Sequence, residues 1–285
     1  MSKLINIDNS FASYQQLIRL FQENKDSEFT RIDISIHQWF SANMSAALGA
    51  VLDTLQNNFN SIHFSNIDSA IERILQKNDF LAYFGYPSVV DNHHTTIRFL
   101  KLKPTDGKFF NTYVYNELLG RAELPKMSEG AKNKIAEALY EIFVNAQIHS
   151  ESTQIYTCGQ FFPYKDKIEF TLVDTGIGFR DKVNNRFNSN LNAVQAIHWA
   201  VQDKNTTKVG VSGGIGLALL REFIGMNRGK MQIISNDGFY EYSEQGEEMQ
   251  LFRGAFPGTI VNLQFRTNDD NSYVLKTEVN ANNIF

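Results

Sequence analysis

Apolar and polar positions alternate through Arg31-Ile32-Asp33-Ile34-Ser35-Ile36, the period-two pattern of a half-buried strand. Ala46, Ala47, Val51 and Leu55 then recur at spacings near four, which predicts a helix that Asn57-Asn58 ends. Ser61-Ile62-His63-Phe64-Ser65 reads as a second strand, and Ile67, Ile71, Ile74 and Leu75 share one face of a helix over 67–80. The result is a β-α-β-α run. Lys103-Pro104-Thr105-Asp106-Gly107 marks a boundary, because proline fixes a turn and Asp-Gly permits positive φ. Glu123-Leu124-Pro125 is a second, weaker break.

From Ser128 the pattern changes. Ile135, Leu139, Ile142, Phe143 and Ala146 make the buried stripe of a helix over 128–149. Strands are expected at 154–162 and 167–174, followed by a long Asn-rich excursion over 179–212 with a helix at 190–203. A helix at 215–226 precedes strands at 230–235, 239–252 (a hairpin around Gly246) and 259–265. Residues 267–285 are polar and Asn-rich, and are expected to be loosely held. This divides the chain into an α/β domain at 1–105, a linker at 106–127, a second domain at 128–266 and a C-terminal tail. The fold class expected is α+β.

Composition narrows the function. Of 285 residues 42% are hydrophobic and 20% charged, ordinary for a globular chain with a real core. With 27 basic and 31 acidic side chains the net charge is -4, which argues against a nucleic-acid partner, since that binding needs a basic surface. No run of about 18 apolar residues predicts a membrane span. The opening MSKLINIDNS lacks the layout of a secretion signal, so a cytoplasmic protein is expected. Cys158, alone, can form neither an internal disulfide nor a thiolate cluster for zinc.

Three stretches carry candidate chemistry. Glu137, Glu141, Asn145 and His149 are spaced by four on the 128–149 helix, so neighbours lie close on one side. The Asn145 amide oxygen can ligate Mg²⁺, and Glu141 one turn earlier can orient or deprotonate a nucleophile. Alone, that spacing is more often a solvated helix face. Ile168, Phe170, Leu172 and Asp174 share a parity, so the Asp174 carboxylate points to the core side and must find a donor there. An adenine amine is such a donor, and Gly176 and Gly178 would let backbone approach the base. Finally, Gly210-Val211-Ser212-Gly213-Gly214-Ile215-Gly216-Leu217 enters an apolar helix, where successive N–H groups can face one anion. Neither a P-loop spacing nor a G-x-G-x-x-G spacing is present.

In this order the three stretches resemble the GHKL ATPases, the family of gyrase, the large heat-shock chaperone, histidine kinases and MutL. EALYEIFVNAQIHS is similar to their N box, FTLVDTGIGF to the first glycine box and SGGIGLALLREF to the second. The resemblance covers about residues 128–266. It implies ATP and Mg²⁺ as cofactors, Asn145 as metal ligand, Asp174 as the adenine-reading residue, and Gly213, Gly214, Gly216 and Leu217 at the phosphates. Thr259, in Pro257-Gly258-Thr259, is the candidate for holding an adenine-side water. The implied fold is an α/β sandwich with helices on one face of a mixed, mostly antiparallel sheet, and a mobile lid at 179–212. Lys204 and Lys208 of that lid could reach the phosphates, and Asn205, Thr206 and Thr207 could add polar contacts. Glu141 stands where gyrase-type ATPases and anti-sigma serine kinases place a catalytic glutamate.

IDISIHQWFSANMSAALGAVLDTLQNN resembles, more faintly, the STAS fold of anti-sigma antagonists. Its loop lacks the Asp-Ser acceptor pair of that fold and offers Ser41 or Ser45 instead. The expected function is an ATP-dependent protein kinase of anti-sigma or histidine-kinase type acting on a protein partner or on its own N-terminal domain, with a homodimer left open. The alternatives are a slow ATPase switch and a nucleotide-gated binding module without turnover.

Overall fold

The computed structural model of the chain describes residues 2–149, 153–202, 205 and 216–278. The N-terminal layer runs β1 (Ser2–Ile7), α1 (Phe11–Asn24), β2 (Arg31–Phe40), α2 (Ser45–Asn57), β3 (Ser61–Ile67) and α3 (Ser69–Lys77). Its strands form a parallel sheet with β2 in the middle. β1 and α1 precede the expected β-α-β-α run. A register shift between Ile5 and Ile7 leaves Leu4 and Ile7, three apart, both buried, so β1 carries no period-two signature. α1 starts on a Ser10 cap and buries Tyr14, Leu17 and Ile18 along one stripe.

Next come β4 (Thr96–Leu102), α4 (Gly107–Tyr113), β5 (Lys126–Met127), α5 (Glu129–His149), β6 (Ile155–Phe162) and β7 (Lys167–Asp174). The helices α6 (Gly178–Phe187), α7 (Ala193–Ala200) and α8 (Gly216–Met226) follow. The chain then runs through β8 (Lys230–Ser235), β9 (Gly238–Ser243), β10 (Gly246–Leu251), β11 (Thr259–Arg266) and β12 (Ser272–Tyr273). Seven strands make the main sheet in the order β10-β9-β8-β11-β7-β6-β4, with neighbours antiparallel throughout. The fold is therefore mixed α+β around an antiparallel sheet.

Helices α5, α7 and α8 pack on one face of that sheet, and the N-terminal layer covers the other. Ile168, Phe170 and Leu172 of β7 meet Ile135, Leu139 and Phe143 of α5 and Leu220 and Ile224 of α8 in one core. The opposite face, with Tyr156, Val173, Ile234 and Ile260, packs against α1 and α2 in a second core. α2 is buried on nearly every side because it lies between the two sheets, which explains its run of Ala, Gly, Leu and Val. Asn43 pins the layers together: its Nδ2 donates to Thr171 Oγ1 at 3.0 Å and Asn262 Oδ1 at 3.2 Å, all buried.

Three boundaries differ from expectation. β4 lies inside the 1–105 stretch yet pairs with β6 at the edge of the main sheet. The 106–127 segment, read as a linker, is largely helical: α4 is followed by a π-helical stretch, Val114–Leu119, and Phe110 stacks on Phe143 of α5 with ring centroids 4.6 Å apart. The tail is docked at least to Glu278. β12 pairs with β5, and the Glu278 carboxylate accepts from Ser128 Oγ and from Gly130 N at the start of α5. Among the described residues no helix is long and apolar enough to cross a membrane.

Candidate functional site

Asp174 ends β7, paired with Ile155 on one side and Thr259 on the other. Strand parity turns it to the α5 face, as the alternation of Ile168, Phe170 and Leu172 requires. The side chain is buried, and burial pushes the carboxyl above its ordinary value, opposed by the nearby Lys182 charge and by the Gly176 N–H. That N–H donates to Asp174 Oδ1 at 2.8 Å, closing a tight turn. Gly258 has φ 142°, and a Cβ there would stand 1.9 Å from the Asp174 carbonyl oxygen. Pro257-Gly258-Thr259 can pass beside the strand end only as glycine.

The second glycine of the turn has a different partner from the one expected. Gly178 has φ 77°, and its absent Cβ would collide with Asn236 Oδ1 at 2.4 Å. What it admits is the β8–β9 turn. Phe179 N donates to Ser235 Oγ at 2.8 Å and Arg180 N to Asn236 Oδ1 at 3.3 Å, so Ser235 and Asn236 satisfy the first N–H groups of α6. Ser235 Oγ also lies 3.0 Å from Thr259 Oγ1. Thr259 thus joins Asp174 across the strand pair, with its hydroxyl tied to the serine.

A narrow cleft runs from Asp174 and Thr259 along α5, walled by Ile142, Ala146, Leu172 and Val261. Its free space is about 10 Å³, room for a single water, so a purine ring requires the walls to part. Glu141 and Asn145 each precede a cleft-lining residue of α5, about 100° around the helix from it. Asn145 is half-buried. Glu137 is exposed and paired with Lys134, a solvated face.

Glu141 reaches α8. Its Oε2 accepts from Gly216 N at 2.8 Å, placing a carboxylate on one of the orphan donors that open that helix. A Cβ on Gly216 would stand 2.9 Å from Glu141 Oε2 and 3.0 Å from Ala138 O, so glycine sets how closely α5 and α8 cross. Gly216→Ala is expected to destabilise the chain by about 1–3 kcal/mol through overpacking, read as a lower urea midpoint. Leu217 packs its side chain into the core with α5, leaving only its backbone to face a ligand.

The structure therefore gathers Asp174, Gly176, Gly178 and Thr259 at one end of α5's contact with the sheet, and Glu141, Gly216 and Leu217 at the α8 junction. Lys208, Gly213 and Gly214 lie outside the described residues, as do Lys204, Thr206 and Thr207. Asn205 donates its amide to Trp199 O. Among the described residues the excursion holds two helices: α7, with an Asn192–Gln195 capping box, shortens the expected 190–203 helix, and α6 is an addition to it. Lys182 on α6 lies near enough to Asp174 for the two charges to act on each other. Burial lowers its pKa, while the Asp174 charge holds it up. The signal for it, a lysine four residues after Gly178, becomes readable only once the glycine turn is known to open a helix. Among the described residues no three His, Cys, Asp or Glu side chains gather to hold a metal. Comparison of this chain with models of protein families and with curated proteins finds no match.

Proposed function

We propose that the chain is a cytoplasmic Mg-ATP-dependent signalling protein of the GHKL type with a STAS-like N-terminal layer, phosphorylating a protein partner as anti-sigma and histidine kinases do. The observation that carries this reading is the buried Asp174 carboxylate set opposite Thr259 on a cleft along α5, with Glu141 of the same helix touching the start of α8.

The residues fit the group in donor chemistry. A desolvated carboxylate calls for a donor, and the adenine amine is one. Asn145 supplies a neutral oxygen on the same helix, suited to a cation that takes its other ligands from phosphate and water. The first N–H groups of α8 suit an anion, and Glu141 holds one of them until a phosphate displaces it. Mg-ATP, when bound, supplies the transferable phosphoryl group. Glu141, once displaced from Gly216, accepts a proton from the attacking hydroxyl or water. The cleft must widen for the ring, which is part of the proposal.

The acceptor belongs to another protein. Ser41 and Ser45 are buried; Ser41 Oγ accepts from Trp39 Nε1 at 3.0 Å and Ser45 Oγ from Asn78 Nδ2 at 2.9 Å. Neither offers its hydroxyl to a phosphoryl donor on the far side of the sheet. The Glu141–Gly216 contact favours, as second reading, a slow ATPase switch in which nucleotide exchanges one α5–α8 contact for another.

Incubation with γ-labelled ATP and Mg²⁺, with and without host lysate, separates these. Label on protein supports the kinase and free phosphate the switch; binding without either supports a gated module. Absence of heat on titration with a nonhydrolysable ATP analogue removes all three.

Affinity should depend on pH in a stated direction. The free Asp174 carboxyl has a raised pKa, and a donor from the ligand lowers it, so binding releases a proton at acid pH. ATP affinity is therefore expected to be full above the raised value and to fall as pH drops through it. Lys182→Met removes the cation that holds Asp174 down, so its affinity profile should move to higher pH. Calorimetry in buffers of different ionisation enthalpy measures both effects.

A further inference from the structure

On the face of the main sheet opposite α5, between α2 and β4, lies a cavity of about 160 Å³. Its walls are aromatic. Phe80 and Tyr83 each meet Phe99 edge-on, with centroids 5.2 and 5.1 Å apart, and Tyr156 lies 6.4 Å from the same ring. One end is charged: Asp53 pairs with Lys101 and accepts from Tyr156 Oη at 2.5 Å. Burial pushes the Tyr156 phenol up, so it stays a donor to that carboxylate. Tyr83 is half exposed, which leaves the cavity a mouth.

A packing defect in a core is apolar and stays dry. Here a carboxylate with about four acceptor sites and an ammonium with three donors line the same space as the aromatic rings. Size limits the guest, because a cavity of about 150 Å³ accepts benzene and little more. Charge limits it further. Asp53 and Lys101 already balance, so a charged guest would leave one charge in the site without a counter-charge.

We propose that this cavity binds a neutral, planar, single-ring molecule with an N–H beside a C=O on one edge. The ring lies among Phe80, Tyr83, Phe99 and Tyr156, the N–H donates to Asp53, and the C=O accepts from Lys101. The guest would touch both layers of the fold, since Asp53 is on α2 while Lys101 and Tyr156 are on β4 and β6.

Uracil is the probe, with benzene and fully N-methylated uracil as controls, titrated calorimetrically into the full chain without nucleotide. The outcome is thereby independent of the nucleotide reading. Uracil should saturate with Kd below about 1 mM. The N-methylated ring, lacking the donor, should bind at least about tenfold more weakly, and benzene likewise. Asp53→Asn keeps the shape and should weaken uracil about tenfold, with thermal unfolding confirming that the variant is folded. No saturation of the native chain by about 10 mM uracil overturns the proposal. So does equal binding of the N-methylated ring, or undiminished binding to a folded Asp53→Asn variant.

Discussion

Replacing Glu141 with glutamine is expected to lower phosphate release or transfer by about 10²–10⁴-fold while leaving affinity for a nonhydrolysable ATP analogue largely intact. The glutamine carbonyl oxygen can still accept from Gly216 N, so the α5–α8 junction is kept. What is lost is a proton acceptor and one negative charge beside the helix start. Removing that charge favours a phosphate there, which is why binding is not expected to weaken. Single-turnover kinetics and calorimetry on the same preparation separate the two effects. Unchanged turnover takes the catalytic role from Glu141 and leaves it as a helix cap.

Much of the site's scaffold is legible along the chain because it obeys short-range rules. β7 shows its core face by alternation, and Asp174 inherits that face from Ile168, Phe170 and Leu172. The stripe on α5 likewise fixes which side carries Glu141 and Asn145. Glycines are legible as necessities but not as to their cause. Gly178 reads as backbone approaching a ligand, whereas its neighbour is Asn236, 58 positions downstream, a contact no local pattern encodes.

Features that depend on long-range pairing are not legible in that way. β4 looks like the close of the first domain until β6, some fifty residues on, is seen beside it. Among its described residues the polar tail carries a buried ring, Tyr273, and a carboxylate, Glu278, that finds α5's first turn. Neither has a periodicity to detect. The all-round burial of α2 is visible as composition, yet only the second sheet behind it explains why a helix would be apolar on every side.

Replacing Asp174 with asparagine is expected to weaken ATP binding by about 1.5–3 kcal/mol, roughly 10- to 150-fold, the worth of a hydrogen bond to a charged group. The new amide oxygen can still take the Gly176 N–H, so the turn survives. The amide nitrogen then meets the adenine amine donor to donor. Selectivity should fall with affinity, and a native chain that binds ATP and GTP equally counts against the assignment. Stability should move the other way. Because burial raises the folded-state pKa, ionised Asp174 opposes folding, and that penalty grows as pH rises from the unfolded value of 3.8 through the raised one. The neutral amide carries no such penalty. At neutral pH the Asp174→Asn chain should therefore unfold no earlier than the native one, and the pH dependence of its midpoint should flatten on the acid side. A variant that loses affinity and stability together would point to a structural aspartate instead; loss of affinity with stability kept is the signature of a carboxylate held desolvated for a ligand.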